Sequence, residues 1–483
     1  MTTSKLLALL GAGALLLGGA QTAAAESASE IAENAAKKFA GETVTIVKIP
    51  GPMALEVTEF TGPEFEKRTG VKVAVIEVPL AELFSKIMLE YRAGSSTYDV
   101  LDVQAAKIPD LASAGAIVPL DDWMTKYEYW DDYQDVAPAW RDAWGRFGGK
   151  QYGFVDDGDV FIMFYRKDLF DDAGNQRAFK AQYGYDLAPP QTYKAFQETT
   201  CFFTEAIEGL YGAANPRQRG TMFYWYEEEF RNKGGKWFDI DTMKATVNSD
   251  IAVAVLERMI AENKCMPPGI ETWGVIESMN AWLAGDLAMI TWWPGLGRWG
   301  EGYGTDIDAM SWVPKSKIVG KVSYATVPGG HPQLAAGNLF TVSANSKNKE
   351  LAYLFAQWQN SSDISALRVQ LPFSFRDPFR MSHFASAEFR GLWPAAGAYL
   401  DALEASSQTG LIDLTIIQTD TYNSLLDAGL ESAFAGAASA KDALDQVAAD
   451  WDALTEEIGV DDQREAYESW LSAPNAYPDE VTE

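Results

Sequence analysis

Histidine and cysteine are nearly missing from this 483-residue chain, which holds two of each: His331 and His383, Cys201 and Cys265. Two histidines make a His-built zinc centre a poor reading. Two cysteines exclude both a four-thiolate metal site and a disulfide-dense scaffold. Basic residues are scarce too. Against 68 Asp and Glu there are 39 Lys and Arg, a formal charge of −29, so the chain lacks the positive excess that nucleic-acid binding needs. There is no P-loop, no G-x-S-x-G elbow and no H-E-x-x-H. Gly295-x-Gly297-x-x-Gly300 fits the dinucleotide pattern, but it follows Pro294 and runs into Glu301-Gly302 rather than into a helix, so it is set aside. Long apolar runs are also missing. The longest, Leu6 to Leu17, falls short of the ~20 residues of a membrane span.

What is present is a large aromatic complement: 24 Phe, 20 Tyr and 16 Trp in a chain that is 47% hydrophobic. That composition folds into a core rather than staying disordered, and the length suits two to three domains at roughly 150 residues each. Residues 1–25 read as a secretory signal peptide: Lys5, the apolar run, then small residues with Ala23 and Ala25 in an A-x-A cleavage pattern. The competing reading is a membrane anchor, which the short run disfavours. Neither cysteine lies near the cleavage point, so no lipid anchor is expected there. The expected mature chain starts near Glu26, with its charge at −30 once Lys5 is lost, in a periplasm that permits disulfides.

Along the mature chain, 43–49, 71–78 and 97–103 alternate or are β-branched and predict strands. Helices are predicted between them at 58–68 and 81–93. Strand, helix, strand, helix, strand is the pattern of a parallel α/β sheet. Ligands bind at the carboxyl ends of such strands, which directs attention to 50–56, 77–80 and 102–107. Residues 152–170 read as a charged loop between two apolar strands. Helices are expected at 191–210, 250–264, 347–360 and 420–458, the last with Leu444, Val447, Trp451, Leu454 and Ile458 on one face.

Several segments, in order, carry a family likeness: AGAIVPLDDWM (114–124), GKQYGFVDDGDVFIMFYRKDLFDDAG (149–174), APPQTYKAFQETTCFFTE (188–205), FRNKGGKWFD (230–239), MNAWLAGDLAMITWWPG (279–295) and GNLFTVSANSKNKELAYLFAQW (337–358). The chain resembles the extracellular solute-binding proteins of ABC importers, in the large sugar-binding class that includes maltose-binding protein. The resemblance implies an α/β, two-lobed periplasmic-binding-protein fold. Each lobe is expected to be a mainly parallel sheet flanked by helices, with the ligand cleft between lobes that close on it. The expected division is 26–155 plus about 337–372 for the N-terminal lobe and 156–336 plus about 373–483 for the C-terminal lobe. The implied function is a monomeric periplasmic receptor that captures a sugar, oligosaccharide or polyol. It would deliver this ligand to ABC permease subunits driven by a cytoplasmic ATPase, with no cofactor, metal or catalytic residue. The alternatives are a receptor for a phosphate ester or polyamine, or a secreted glycoside hydrolase built on two carboxylates.

Within that frame the resemblance places Asp157 or Asp159, in the crossover, on sugar hydroxyls; the bland alternative is a solvated turn. Trp293 of the Trp-Trp-Pro-Gly loop is expected to lie on a sugar face and Trp292 in the core, because adjacent strand residues face opposite ways. Trp225 and Glu228 are further candidates, each equally able to be core. Arg376 could fork onto hydroxyls or make a surface ion pair. Gly337 and Asn338 open a return strand where backbone could approach ligand. Met53 and Asp102 are candidates from the strand-end rule. Cys201 and Cys265, placed in one lobe by the resemblance, form either a disulfide or two buried thiols.

Overall fold

The computed structural model describes residues 26–481; the signal-peptide reading of 1–25 lies outside them. Two sheets organise the chain. The first begins as the alternation predicts: β1 (Thr43–Lys48), β2 (Lys72–Glu77) and β3 (Val100–Gln104) are parallel, with Thr43 opposite Lys72 and Ile46 opposite Val100. The helices Gly62–Thr69 and Leu80–Arg92 make the crossovers. Gly70 ends the first of these helices in the left-handed region at φ 78°, where a side chain would be strained. A small hairpin follows, β4 (Arg146–Phe147) with β5 (Lys150–Gln151), and then β6 (Gly153–Val155).

The chain then crosses into a second sheet: β7 (Ile162–Arg166), β8 (Met289–Trp292) and β9 (Val322–Ala325), in the order β8-β7-β9. β10 (Gln333–Leu334) leads back to β11 (Asn338–Val342), which inserts into the first sheet to give β2-β1-β3-β11-β6. β12 (Leu411–Ile412) pairs with β10. β11 runs antiparallel to both β3 and β6, so the first sheet is mixed.

The second sheet corrects the expectation of a mainly parallel one: β7 is antiparallel to β8 and to β9. The parallel pattern of 43–103 comes from short strand–helix–strand units whose strands pair directly, whereas β8 and β9 each pair with β7 and not with each other. Several helices, including Tyr193–Ala206, Phe223–Asn232 and Asp250–Asn263, intervene between β7 and β8. No single crossover fixes the relative direction of these strands.

The helix Lys349–Asn360 packs on the first sheet and is buried from Leu351 to Asn360, because the helix Ala28–Ala36 covers its other side. The C-terminal stretch expected to be helical over 420–458 forms two helices, Thr419–Phe434 and Ala440–Ile458. They are broken at Gly436 (φ 68°) and restarted by Ser439, whose side chain caps the Asp442 N–H. Leu444, Val447, Trp451 and Leu454 are buried as their spacing predicts. Cys201 and Cys265 are bonded, with Cα atoms 4.8 Å apart, and tie the helix Tyr193–Ala206 to the end of Asp250–Asn263. Among the described residues no helix is long and apolar enough to cross a membrane.

Candidate functional site

Three segments pass between the two sheets: 156–161, 335–337 and 369–380. They are stitched to one another by the side chains of the first. Asp157 Oδ1 accepts the Asp377 N–H at 2.7 Å, and Asp159 Oδ2 accepts the Gly337 N–H at 3.0 Å. Gly158 donates its N–H to the Asp377 carbonyl at 3.2 Å. A Cβ at Gly158 would lie 2.0 Å from the Pro378 carbonyl, so the close passage of the two segments requires glycine.

Above these crossovers lies a cleft of about 290 Å³. Ile49, Met53, Leu80 and Gln104 line it from the strand ends of the first sheet. Trp292, Trp293, Trp299 and Trp312 line it from the second, Asn338 from the start of β11, and Asp157, Asp159, Ala336, Phe375 and Asp377 from the crossovers. The rings brace one another edge to face: Trp292 meets Trp293 at 5.5 Å and 87°, and Trp299 meets Trp312 at 5.5 Å and 83°. Trp293 is fixed further by its Nε1–H, which donates to the Ala335 carbonyl at 3.0 Å.

Carboxylate oxygens of Asp157, Asp159 and Asp377 lie within 4.8 Å of one another. Burial pushes all three carboxyls upward. Asp157 is raised by burial and by Asp377, with Arg376 opposing; Asp159 is raised by burial and by both neighbouring carboxylates. Asp377 is pushed up to about 6 by burial, against the pull of Arg298 and Arg376; Arg298 Nη2 bonds its Oδ1 at 3.1 Å. A cation could bridge this triad, but Arg298 and Arg376 already supply positive charge at its edge, and the same oxygens are placed to accept hydroxyl donors. The cleft thus offers apolar faces on one side and paired acceptors on the other. Specificity follows when such acceptors are satisfied only by the right donors.

The sequence-predicted residues divide. Met53, Asp157, Asp159, Trp293 and Asn338 line the cleft together, and the Asn338 amide donates to the Met53 sulfur at 3.5 Å. Asp102 and Arg376 lie beneath it in a buried charge cluster. Arg376 Nη2 reaches Asp156 at 2.8 Å and Asp102 at 3.0 Å; Lys48 Nζ reaches Asp102 at 2.7 Å; Arg368 pairs with Asp156 and Glu56. The surface ion-pair alternative for Arg376 is therefore corrected to a fully buried one, because Asp102, Asp156 and Glu56 enclose its guanidinium.

Trp225 stands behind Trp293 at 5.7 Å, its indole N–H on Thr291 Oγ1 at 2.9 Å. Glu228 is buried; it accepts the Gln333 N–H at 3.2 Å, and burial raises its carboxyl to about 8. Gly337 is in the left-handed region at φ 57°, and a Cβ there would strike the Trp144 ring at 1.8 Å, so packing rather than ligand approach accounts for this glycine.

Sequence reasoning missed Trp292, Trp299, Phe375, Arg298 and Asp377. Strand alternation assigned Trp292 to the core, but β8 ends there, so both tryptophans face the cleft. Arg298 and Trp299 sit inside the discarded glycine pattern, which forms a short helix, Gly295–Gly300, and runs on into turns rather than into a further helix. Asp377 was adjacent to a named candidate, and only the register within the loop separated them.

Residues 52–365 match the family described as bacterial extracellular solute-binding protein. The chain is 24% identical over 344 residues to a probable amino-acid ABC transporter periplasmic-binding protein from Sinorhizobium fredii, covering 70% of this chain and 73% of that one. It is 25% identical over 433 residues to an erythritol/L-threitol-binding protein from Mycolicibacterium smegmatis, covering 82% and 83%. A solved ABC transporter solute-binding protein from Agrobacterium radiobacter K84, in complex with ribitol, superposes with a TM-score of 0.70 at 22% identity, over 86% of this chain and 99% of that one.

Proposed function

The chain belongs to the bacterial extracellular solute-binding proteins, and on that premise we propose that it is the receptor of an ABC importer that captures a carbohydrate, either a sugar, an oligosaccharide or a polyol. In this reading the lobes are 26–155 with about 337–372 and 156–336 with about 373–483; they close on the ligand, and the closed form docks on the permease. The protein performs no chemistry on its ligand, acts as a monomer, and is secreted by a cleavable signal peptide to the periplasm. The observation that carries the ligand class is the cleft itself. Tryptophan faces suit the C–H surfaces of a sugar, and the triad Asp157, Asp159 and Asp377 suits its hydroxyls. A phosphate ester is disfavoured because Arg298, the cation on the cleft wall, is already engaged by Asp377.

The test is a thermal-shift screen of the mature protein against mono-, di- and oligosaccharides, polyols, amino acids, polyamines and glycerophosphodiesters. A carbohydrate is expected to raise Tm. A shift with a non-carbohydrate and none with any carbohydrate overturns the ligand class, and turnover of a glycoside overturns the receptor reading. Trp293→Ala removes a half-buried aromatic contact worth about 1.5–3 kcal/mol, so binding should weaken by at least roughly tenfold with the fold retained.

A further inference from the structure

One residue on the cleft wall holds a costly backbone conformation. Among the described residues four non-glycines have positive φ: Glu128, Met243, Ala336 and Gln418. Only Ala336, at φ 75°, lines the cleft. A residue with a Cβ is strained there, and such strain persists only where the surroundings over-determine it. Gly337 follows at φ 57°, so the crossover 335–337 takes two left-handed steps in succession.

Those steps aim the peptide groups around them. The Ala335 carbonyl accepts the Trp293 indole N–H at 3.0 Å, and the Gly337 N–H donates to Asp159 at 3.0 Å. An aromatic face and an acceptor carboxylate of the cleft are thus tied to the two residues that flank Ala336. Relaxing Ala336 to an ordinary negative φ would turn those peptide groups away from both.

What holds Ala336 is Asp413. Its Oδ2 accepts the Ala336 N–H at 2.9 Å, and its Oδ1 accepts the Gln333 side-chain amide. The side chain is buried and both oxygens are engaged, so Asp413 is placed to hold the chain rather than a ligand. Burial pushes its carboxyl up to about 6, against the Ala336 N–H, Gln333 and Arg231. It is therefore ionised at neutral pH, and its bond to Ala336 is charge-assisted.

Asp413 is itself fixed from several sides. Ile412 pairs with Leu334 where β12 meets β10. The Trp470 indole N–H donates to the Asp413 carbonyl at 2.7 Å, and Arg231 donates to the Ile412 carbonyl at 2.6 Å. Arg231 also bonds the Gln333 side-chain carbonyl, and the Gln333 amide donates to Glu227 at 3.1 Å.

We propose that Asp413 is a positioning residue for the cleft: it keeps Ala336 left-handed and so sets Trp293 and Asp159 for the ligand. This rests on the reading of Trp293 and Asp159 as ligand contacts. It adds a link from the C-terminal helix Val460–Leu471, through Trp470, to the ligand site.

Fluorine NMR of the mature protein labelled with 5-fluorotryptophan tests it, together with titration of glucose, mannitol and maltose. The Trp293 resonance is identified by its loss in Trp293→Phe. Asp413→Ala should shift or broaden that resonance and weaken any probe that binds the parent by about fivefold or more. Asp413→Asn keeps an oxygen for the Ala336 N–H while giving up a Gln333 bond. It should retain the parent resonance, with affinity within about twofold. Ala336→Gly in the Asp413→Ala background supplies a residue for which φ 75° is unstrained. It should bring back the resonance and most of the affinity, which a general loss of packing at Asp413 would not allow. If Asp413→Ala does not fold, Asp413→Ser takes its place, since its hydroxyl is one atom short of the Ala336 N–H. A Trp293 resonance unmoved without Asp413, a shift that Ala336→Gly does not reverse, or a moved resonance with unchanged affinity overturns the proposal. If no probe binds the parent, the carbohydrate reading loses its support, and the fluorine spectra alone still decide whether Asp413 sets Trp293.

Discussion

Replacing Arg376 with methionine separates two roles for one side chain. Its guanidinium is fully buried and lies 2.8 Å from Asp156, 3.0 Å from Asp102, 3.4 Å from Glu56 and 3.5 Å from Asp157. Without it, Asp156, Asp102 and Glu56 keep Lys48 or Arg368 as partners, and Asp157 loses its ion pair with the cluster. Removing one partner from a buried ionic cluster costs about 3–5 kcal/mol, and methionine retains much of the volume, so a cavity adds little.

The pH dependence fixes the sign. Burial alone would lift the Asp156 carboxyl, but Arg368, Arg376 and Lys48 outweigh it and hold it below its ordinary 3.8. A depressed carboxylate contributes stability above its unfolded pKa and loses it as pH falls through the folded value. The variant forfeits part of that contribution, so its deficit should be full at neutral pH and narrow as pH falls toward and below 3.8. Urea unfolding at neutral and mildly acidic pH, with ligand titration of the folded variant, reads both roles. The expected result is a loss of about 3–5 kcal/mol at neutral pH, smaller in acid, with ligand affinity near that of the parent. A variant as stable as the parent that no longer binds ligand would refute the burial argument and return Arg376 to the cleft.

Two further changes probe the frame around the site. Cys201 and Cys265 are 64 residues apart, a closed loop worth about 4 kcal/mol in the chain-entropy model; Cys201→Ala with Cys265→Ala should lower stability by that order in calorimetry, and a loss well under 1 kcal/mol would show that the unfolded chain is not what the bond restrains. Gly337→Ala places a methyl group against Trp144 at a positive φ and should cost about 2 kcal/mol or more. An unchanged Tm and near-UV spectrum would contradict the packing account of this glycine.

The local code of the first sheet was open to reading because it is written in contiguous residues. Alternating Val44 and Ile46, then Gly70 as a stop, define strand and helix within a few positions. The antiparallel second sheet was not, because β7 meets β8 and β9 only through long intervening segments, and direction there is set by packing of the whole lobe. The cleft was half visible for a related reason. Asp157, Asp159 and Trp293 lie in short motifs where hydroxyl acceptors and stacking faces can be recognised by type. Arg376 and Asp377 are chemically plausible neighbours, and only the register of the 369–380 segment decides that Asp377 faces the cleft and Arg376 enters the buried charge cluster. Residue type marks a polar group as a candidate; burial against Asp102 and Asp156 then determines whether any hydrogen-bonding capacity is left for a ligand.

That partition has a mechanical consequence. Asp156 turns down into the charge cluster, while Asp157 and Asp159 line the cleft and also accept the N–H groups of Asp377 and Gly337. The side chains proposed to hold a ligand therefore also join the three segments that pass between the two sheets. A ligand hydroxyl that donates to Asp157 or Asp159 draws on the same carboxylates that bind those backbone groups, so ligand contact and the relative setting of the crossovers are coupled through two residues rather than through a chain of intermediates. With Arg376 and Arg368 fixed against the first sheet by Asp102 and Glu56, the crossovers are anchored on that side.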